Sequence, residues 1–155
     1  MSTEPTTPPP VPAAAAPLPN PQALPTAPAA LLAGLRRDPA KLRTGVWFTH
    51  PDSGDQFRCR KLWGPEHNRA HMAVTQQLLQ DRGEAYAKSE QGIREAFCCG
   101  LAGGLVTDWK LVGSDRPYEA ATMAALLLAP DLEHLVDWLL HVTNRHQPYT
   151  PDAGN

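Results

Sequence analysis

Two histidines four residues apart are the pattern in this sequence that comes nearest to metal chemistry. His67 and His71 stand in "HNRAH" within a predicted helix. That spacing places two imidazoles on one helical face, where they can share a zinc ion. The metalloprotease motif needs a glutamate after the first histidine, but Asn68 stands there, so the general base is missing. Two ligands do not complete a zinc site. A small metal-binding enzyme using this pair is therefore an alternative only, and we predict no metal, cofactor or catalytic residue.

The other reactive side chains do not form a catalytic pattern either. Cys98 and Cys99 are adjacent, so on a helix they point about 100° apart and cannot both join the histidine pair. His134 and His141 lie a heptad apart in the last predicted helix, and His146 follows it. Proton transfer would need a substrate pocket that converges on them. The run "LAGGL" follows a helix instead of opening one, which is not the arrangement of a phosphate loop.

Charge is distributed unevenly along a chain whose net charge is −2. Residues 36–61 contain seven basic and three acidic side chains, whereas residues 108–152 contain seven acidic and three basic ones. Basic and aromatic residues that could hold nucleic acid by charge and stacking stand together in a predicted hairpin: Arg58, Arg60, Lys61, Trp47 and Phe57. The acidic second half argues against that partner. Such charge runs are usually two solvated faces, and the opposed charges can alternatively attract each other within the fold or between subunits.

The cysteine count and the hydropathy pattern predict a compartment. Three cysteines, two of them adjacent, do not suit a secreted disulfide framework, so we expect reduced thiols in the cytoplasm. No apolar run is long enough to predict a membrane span. Ten of the 17 prolines fall within residues 1–30, where helices and sheets cannot propagate. We predict a disordered Pro/Ala-rich tail and short linker over residues 1–43, with one short amphipathic turn that ends at Asp38-Pro39.

The secondary-structure elements predicted from the sequence form an α+β domain over residues 44–149. Residues 150–155 are expected to be a frayed C-terminus. A β-hairpin is expected over Thr44–Leu62, with turn residues around Gly54. The predicted helices are Pro65 to about Asp81, Glu84–Leu101, Tyr118–Leu128, and one that starts at Pro130. Residues 106–112 are a connector or a short strand. We therefore expect an N-terminal β-hairpin packed on a small bundle of about four helices.

The segment from Gly104 to Tyr149 has the apolar spacing and marked residues of a known family. An aliphatic–polar–Trp segment precedes a polar turn, a Pro–aromatic step into a helix, a proline boundary and a last amphipathic helix. The residues that carry this pattern are Trp109, Gly113, Asp115, Pro117, Tyr118, Leu126, Leu127, Pro130, Leu135 and Tyr149. The pattern resembles the C-terminal half of the tail assembly chaperones of long-tailed bacteriophages, and "GVWF" and "FRCRKL" resemble their opening β element.

This resemblance implies a non-enzymatic protein of the bacterial host cytoplasm. Such a chaperone covers the apolar helices of a tape-measure protein during tail assembly and leaves as tail tube subunits polymerise. Self-association through the hairpin edge or the charge patches is a further expectation. The predicted partner-binding residues are Trp109, Tyr118, Leu127, Leu135, Trp138 and Leu139. The main alternative is a virion structural protein, such as a head–tail adaptor or tail component.

Overall fold

Residues 7–10, 28 and 30–152 are described by the computed structural model of the protein. The chain divides into two units between Ala33 and Gly34. In the first unit, the Leu31 N–H donates to the Pro28 carbonyl at 3.2 Å. Most of the predicted disordered tail lies outside the described residues, so its disorder stays a prediction. The sheet and the α-helices described next belong to the second unit.

A three-stranded antiparallel sheet forms one part of this unit, in the order β1 (Val46–Thr49), β2 (Gln56–Cys59) and β3 (Val106–Lys110). The first two strands are the predicted hairpin. Its turn is closed by the His50 N–H, which donates to the Asp55 carbonyl at 2.8 Å. The third strand comes from the segment that the sequence left open between connector and strand.

Six α-helices in the described residues complete the α+β fold, which confirms the predicted class. They are α1 (Pro39–Thr44), α2 (Pro65–Arg82), α3 (Glu84–Ala87), α4 (Glu90–Gly100), α5 (Ala120–Leu128) and α6 (Glu133–Asn144). A π-helical turn, Leu101–Leu105, joins α4 to β3. Three short 3-10 turns cover Ala33–Leu35, Pro130–Leu132 and Gln147–Tyr149.

Two predicted helix boundaries differ from the structure because a polar side chain caps a helix there. Asp38-Pro39 begins α1 instead of ending a turn: Asp38 Oδ1 accepts from the Ala40 N–H at 2.8 Å, and proline suits the first helical position. The predicted helix Glu84–Leu101 is two helices, because Ser89 Oγ accepts from the Gly92 N–H at 3.1 Å and starts α4.

The C-terminal turn ties the two ends of this unit to the sheet. The buried Tyr149 hydroxyl donates to the carbonyls of Cys59 and Arg60 at 3.1 and 2.8 Å. Lys41 Nζ, within α1, lies 2.6 Å from Asp152 Oδ1 and also donates to the Thr150 carbonyl. The predicted boundary at residue 43 therefore falls inside α1. Residues 150–152, predicted to fray, contact Lys41, whereas residues 153–155 lie outside the described residues.

Two glycines let the end of α4 and the π-helical turn approach the backbone of α2. A Cβ at Gly104 would lie 2.6 Å from Ala70 Cβ and 2.7 Å from the Glu66 carbonyl oxygen, and one at Gly100 would lie 3.0 Å from His71 Cα. Only glycine, which has no Cβ, allows this approach. Gly104 of "LAGGL" thus serves helix packing together with Gly100, and the two bring the first turns of α2 against the core.

We predict that Gly104→Ala destabilises the protein strongly, whereas Gly103→Ala does not. The added methyl group at residue 104 overlaps backbone atoms of α2, which should cost about 2 kcal/mol or more. A Cβ at Gly103 meets only Ala70 Cβ at 3.9 Å, so this matched control should change stability by less than about 0.5 kcal/mol. Urea unfolding measures both. Equal midpoints for the two variants would contradict the close approach.

Candidate partner-binding surface

Four of the six residues predicted to bind a partner form the core of the unit. Trp109, Leu127 and Leu139 are buried, and Leu135 is buried beside them. They pack with the buried face of β2, where Phe57 and Cys59 point inward. Side chains inside the core cannot meet another molecule while the fold is intact, so these four residues belong to the interior and not to an accessible surface.

The other two predicted residues, Tyr118 and Trp138, are half-buried against this core. The Tyr118 hydroxyl donates to the Ala102 carbonyl, and its ring meets Trp109 edge-on at 5.1 Å between centroids. Trp138 packs edge-on against Phe57 at 5.8 Å and against His50 at 4.9 Å. Both rings therefore complete the packing of the interior.

Two of the three basic side chains predicted to hold nucleic acid, Arg60 and Lys61, are engaged within the fold, whereas Arg58 Nε is buried without a hydrogen-bond partner. Arg60 Nε donates to the Arg43 carbonyl at 2.6 Å. Lys61 Nζ donates to the carbonyls of Thr143 and Asn144 at 3.3 and 2.8 Å, at the C-terminus of α6. A cation there complements the partial negative charge of the helix end. Phe57, predicted as a stacking residue, is buried. These contacts leave fewer groups to meet a polyanion.

Large apolar side chains that remain exposed lie at other places. Among the described residues they are Leu31, Leu32, Leu35, Trp63, Met72, Leu79, Ile93 and Val112. Four of these eight side chains lie on or next to two packed helices: Met72 and Leu79 are on α2, Ile93 is on α4, and Trp63 precedes Gly64, the residue that caps α2. Together with the half-buried Phe97 they define what we term the α2–α4 face: Trp63, Met72, Leu79, Ile93 and Phe97.

Two open recesses follow this face. One, of about 370 Å³, runs along α2 and is lined by His71, Met72, Thr75, Gln76 and Leu79. The other, of about 550 Å³, runs along α4 and is lined by Glu90, Ile93, Arg94 and Phe97. His71 lines the first recess and Phe97 the second, and their ring centroids lie 6.3 Å apart. Trp63 stands 6.0 Å from the same phenyl ring. The three rings therefore form one aromatic cluster that includes a lining residue of each recess.

Trp63 is held on this face in an unusual backbone conformation. Its φ is +58°, in the left-handed region that bulky residues rarely adopt. The Trp63 N–H donates to His67 Nδ1 at 3.1 Å, and its carbonyl accepts from Asn68 Nδ2 at 2.9 Å. The indole lies 4.8 Å from the His67 ring yet remains 52 % exposed. Such local strain persists only where the surroundings determine it.

The histidine pair does not offer the donors that a metal requires. Because His67 Nδ1 accepts a hydrogen bond, the neutral ring carries its proton on Nε2, which leaves no free lone pair for a metal. His67 Nε2 and His71 Nδ1 are buried without a hydrogen-bond partner. In the described part of the chain, no group of three His, Cys, Asp or Glu side chains is placed to hold a metal ion. His134, His141 and His146 are exposed and converge on no such group.

Burial changes the acid–base behaviour of His67. Its side chain is fully inaccessible, and this burial, with a smaller contribution from the charge of His71, lowers its pKa from 6.5 to about 4. The neutral form is therefore the one that the fold accommodates, and the neutral form is also the one that accepts the Trp63 N–H.

Comparisons with known protein families, with curated proteins and with solved structures find no match to this chain. No helix within residues 7–10, 28 and 30–152 combines the length and apolar character needed to cross a bilayer. Met72 and Leu79 stand seven residues apart in one helix, and Ile93 stands four residues before Phe97 in another, as apolar stripes do. No local signal distinguishes a stripe that stays exposed from one that is covered.

We predict that His67 makes folding stability depend on pH between about 6.5 and 4. Below pH 6.5 the unfolded chain binds a proton that the folded chain resists, so stability is complete above pH 6.5 and is lost as the pH falls towards 4. At about 1.4 kcal/mol per pKa unit, the loss should reach roughly 3 kcal/mol. Urea unfolding across this range measures it.

The variant His67→Gln removes this titration and should flatten the pH dependence by that amount. His141→Gln, which changes an exposed histidine, serves as the control and should keep the wild-type slope. A wild-type slope in His67→Gln would show that another group is responsible.

Proposed function

We propose that this chain is a non-enzymatic binding protein of the tail assembly chaperone kind, which covers apolar helices of a tape-measure-like partner in the bacterial cytoplasm. The contact surface in this proposal is the α2–α4 face, and the residues first predicted from the sequence serve as its internal support. The role needs no nucleophile, metal or cofactor. It needs apolar surface that the fold itself does not cover.

The observation that carries the proposal is the exposure of large apolar side chains along two packed helices. Met72 is 71 % exposed and Ile93 is 58 % exposed, although both belong to regular helices that pack against each other. Between them, the recesses along α2 and α4 form an open apolar track. A partner helix can lay an apolar stripe into a track of this kind, which is the helix-in-groove mode of recognition.

The size of this surface suits reversible binding. Each side chain is about half to two-thirds exposed, so covering it contributes roughly 1 to 2 kcal/mol. Four such contributions are of the same order as the cost of association, about 4 kcal/mol or more. One copy on one helix therefore binds weakly. Many copies of this chain bound along a long repetitive apolar stripe cover the partner together. Each copy can still dissociate separately when tube subunits bind.

The resemblance in the second half of the chain is compatible with this assignment. Its marked residues Trp109, Tyr118 and Leu135 lie in or against the core. Residues that the resemblance marks and that lie in the core support a similar fold. In this proposal the residues that contact the partner lie in the first half of the unit. The exposed Trp63 is the strongest of these by residue type, since tryptophan is enriched at binding hot spots.

We predict that the double variant Met72→Gln/Ile93→Gln weakens binding to an amphipathic helix by about tenfold or more. The probe is a synthetic helix of about four heptads with leucine at a and d, and a scrambled peptide of equal composition checks specificity. Glutamine keeps helix propensity but removes the apolar contact, and about 1.4 kcal/mol corresponds to tenfold in Kd. Fluorescence anisotropy of the labelled peptide measures the affinity with the full chain.

A matched control alters two equally exposed apolar side chains outside this face. Leu35→Gln/Val112→Gln removes similar exposed surface and should leave affinity unchanged. Circular dichroism should give all variants the wild-type spectrum and melting temperature. Equal weakening in both double variants, or no binding of the leucine peptide by the wild type, would contradict the proposal.

A further inference from the structure

Trp63 connects the α2–α4 face to a buried titratable group. The residue precedes Gly64, which caps α2, and the Gly64 N–H donates to the Lys61 carbonyl at 3.0 Å. The Trp63 carbonyl is held by Asn68 and its N–H by His67. Of the two side chains that fix the Trp63 peptide groups, only the imidazole changes its donor and acceptor pattern with pH.

We infer that neutral His67 is a positioning residue that holds Trp63 in its left-handed conformation on the α2–α4 face, and that protonation of this imidazole releases the indole and weakens partner binding. The inference rests on the proposed function, because it assigns a regulator to the same surface. His67 does not itself reach a partner, since it is fully buried beneath Trp63.

The chemistry of the imidazole explains the release. In the neutral ring, the Nδ1 lone pair accepts the Trp63 N–H at 3.1 Å. In the protonated ring both nitrogens carry hydrogen, so Nδ1–H would face the Trp63 N–H and the bond would be lost. A left-handed φ in a tryptophan is unfavourable by an amount similar to the gain from one hydrogen bond. Loss of the bond is therefore enough to free the residue.

The groups around His67 do not stabilise its charged form. His71 faces it from the same helix, at 6.3 Å between ring centroids, and its positive charge would oppose a second one. Phe97 faces it from α4 and Gly104 from the π-helical turn, and neither carries a charge. His67 Nε2 has no hydrogen-bond partner. Protonation thus buries a charge that has no anionic partner among these groups, and at the same time it removes the acceptor of the Trp63 N–H.

The direct test is an NMR pH titration of the free, full-length protein. The Trp63 amide resonance should shift with the same midpoint as the His67 ring protons, well below the ordinary histidine value and near pH 4. In His67→Asn, the side-chain Oδ1 stands where histidine has Nδ1, so a neutral acceptor should keep the bond without titrating and the Trp63 amide should stay constant. His71→Gln is the control and should leave a Trp63 transition that still follows His67.

A second arm works at pH 7 and does not depend on acid stability. His67→Leu removes the acceptor, so Trp63 should lose the strong intraresidue N–H to Hα cross-peak that marks a positive φ. Affinity for the leucine peptide should fall by about 3- to 10-fold in this variant, the range expected for one lost hydrogen bond, while His67→Asn binds as the wild type does. A positive φ of Trp63 that persists in His67→Leu would overturn the inference. So would a wild-type Trp63 amide shift whose midpoint differs from that of the His67 ring protons.

The two proposals fail in different ways. If the α2–α4 face is not a helix-binding surface, the peptide does not bind at any pH, yet the Trp63 amide still follows His67. If His67 does not position Trp63, the peptide binds the wild type and His67→Leu equally well. Each result is read from a different signal, so neither failure can be taken for the other.

Discussion

The close approach of two glycines to α2 is the constraint on which the rest of this unit depends. Gly100 and Gly104 bring the end of α4 and the π-helical turn to within van der Waals distance of the α2 backbone. This contact buries His67 and leaves its Nδ1 available to the backbone N–H of Trp63, which precedes the cap of α2. The bond that forms there fixes Trp63 in a left-handed conformation with its indole outside. Packing at one face of α2 thus determines what the neighbouring face presents.

The unit places most of its interior and most of its exposed apolar surface in different parts of the chain. The second half of the chain supplies the interior, where residues of α5, α6 and β3 cover one another and the C-terminal Tyr149 closes the sheet. The α2–α4 pair supplies exposed apolar surface. A binding protein benefits from this division, because side chains such as Met72 and Ile93 can move or be replaced without disturbing the core.

Local patterns in the sequence predict much of this fold. Gly54 in the hairpin turn, Pro65 at the start of α2 and the apolar spacing of α6 each have a short-range physical cause. The covered and uncovered stripes could not be told apart, because periodicity shows that a helix has an apolar side but not what lies against it. The apolar residues of α5 and α6, for example, are covered because β3 and the π-helical turn belong to the same core. The exposure of Trp63 depends on a tertiary contact that buries His67.

The most direct test asks which methyl groups touch a bound helix. Methyl-labelled protein, mixed with the leucine heptad peptide, can be examined for intermolecular NOEs to the assigned methionine, leucine and isoleucine methyl groups. The account predicts cross-peaks to Met72, Leu79 and Ile93 and none to Leu127 or Leu139. Cross-peaks to the methyl groups of Leu127 and Leu139, without any to the α2–α4 face, would contradict the proposed contact surface.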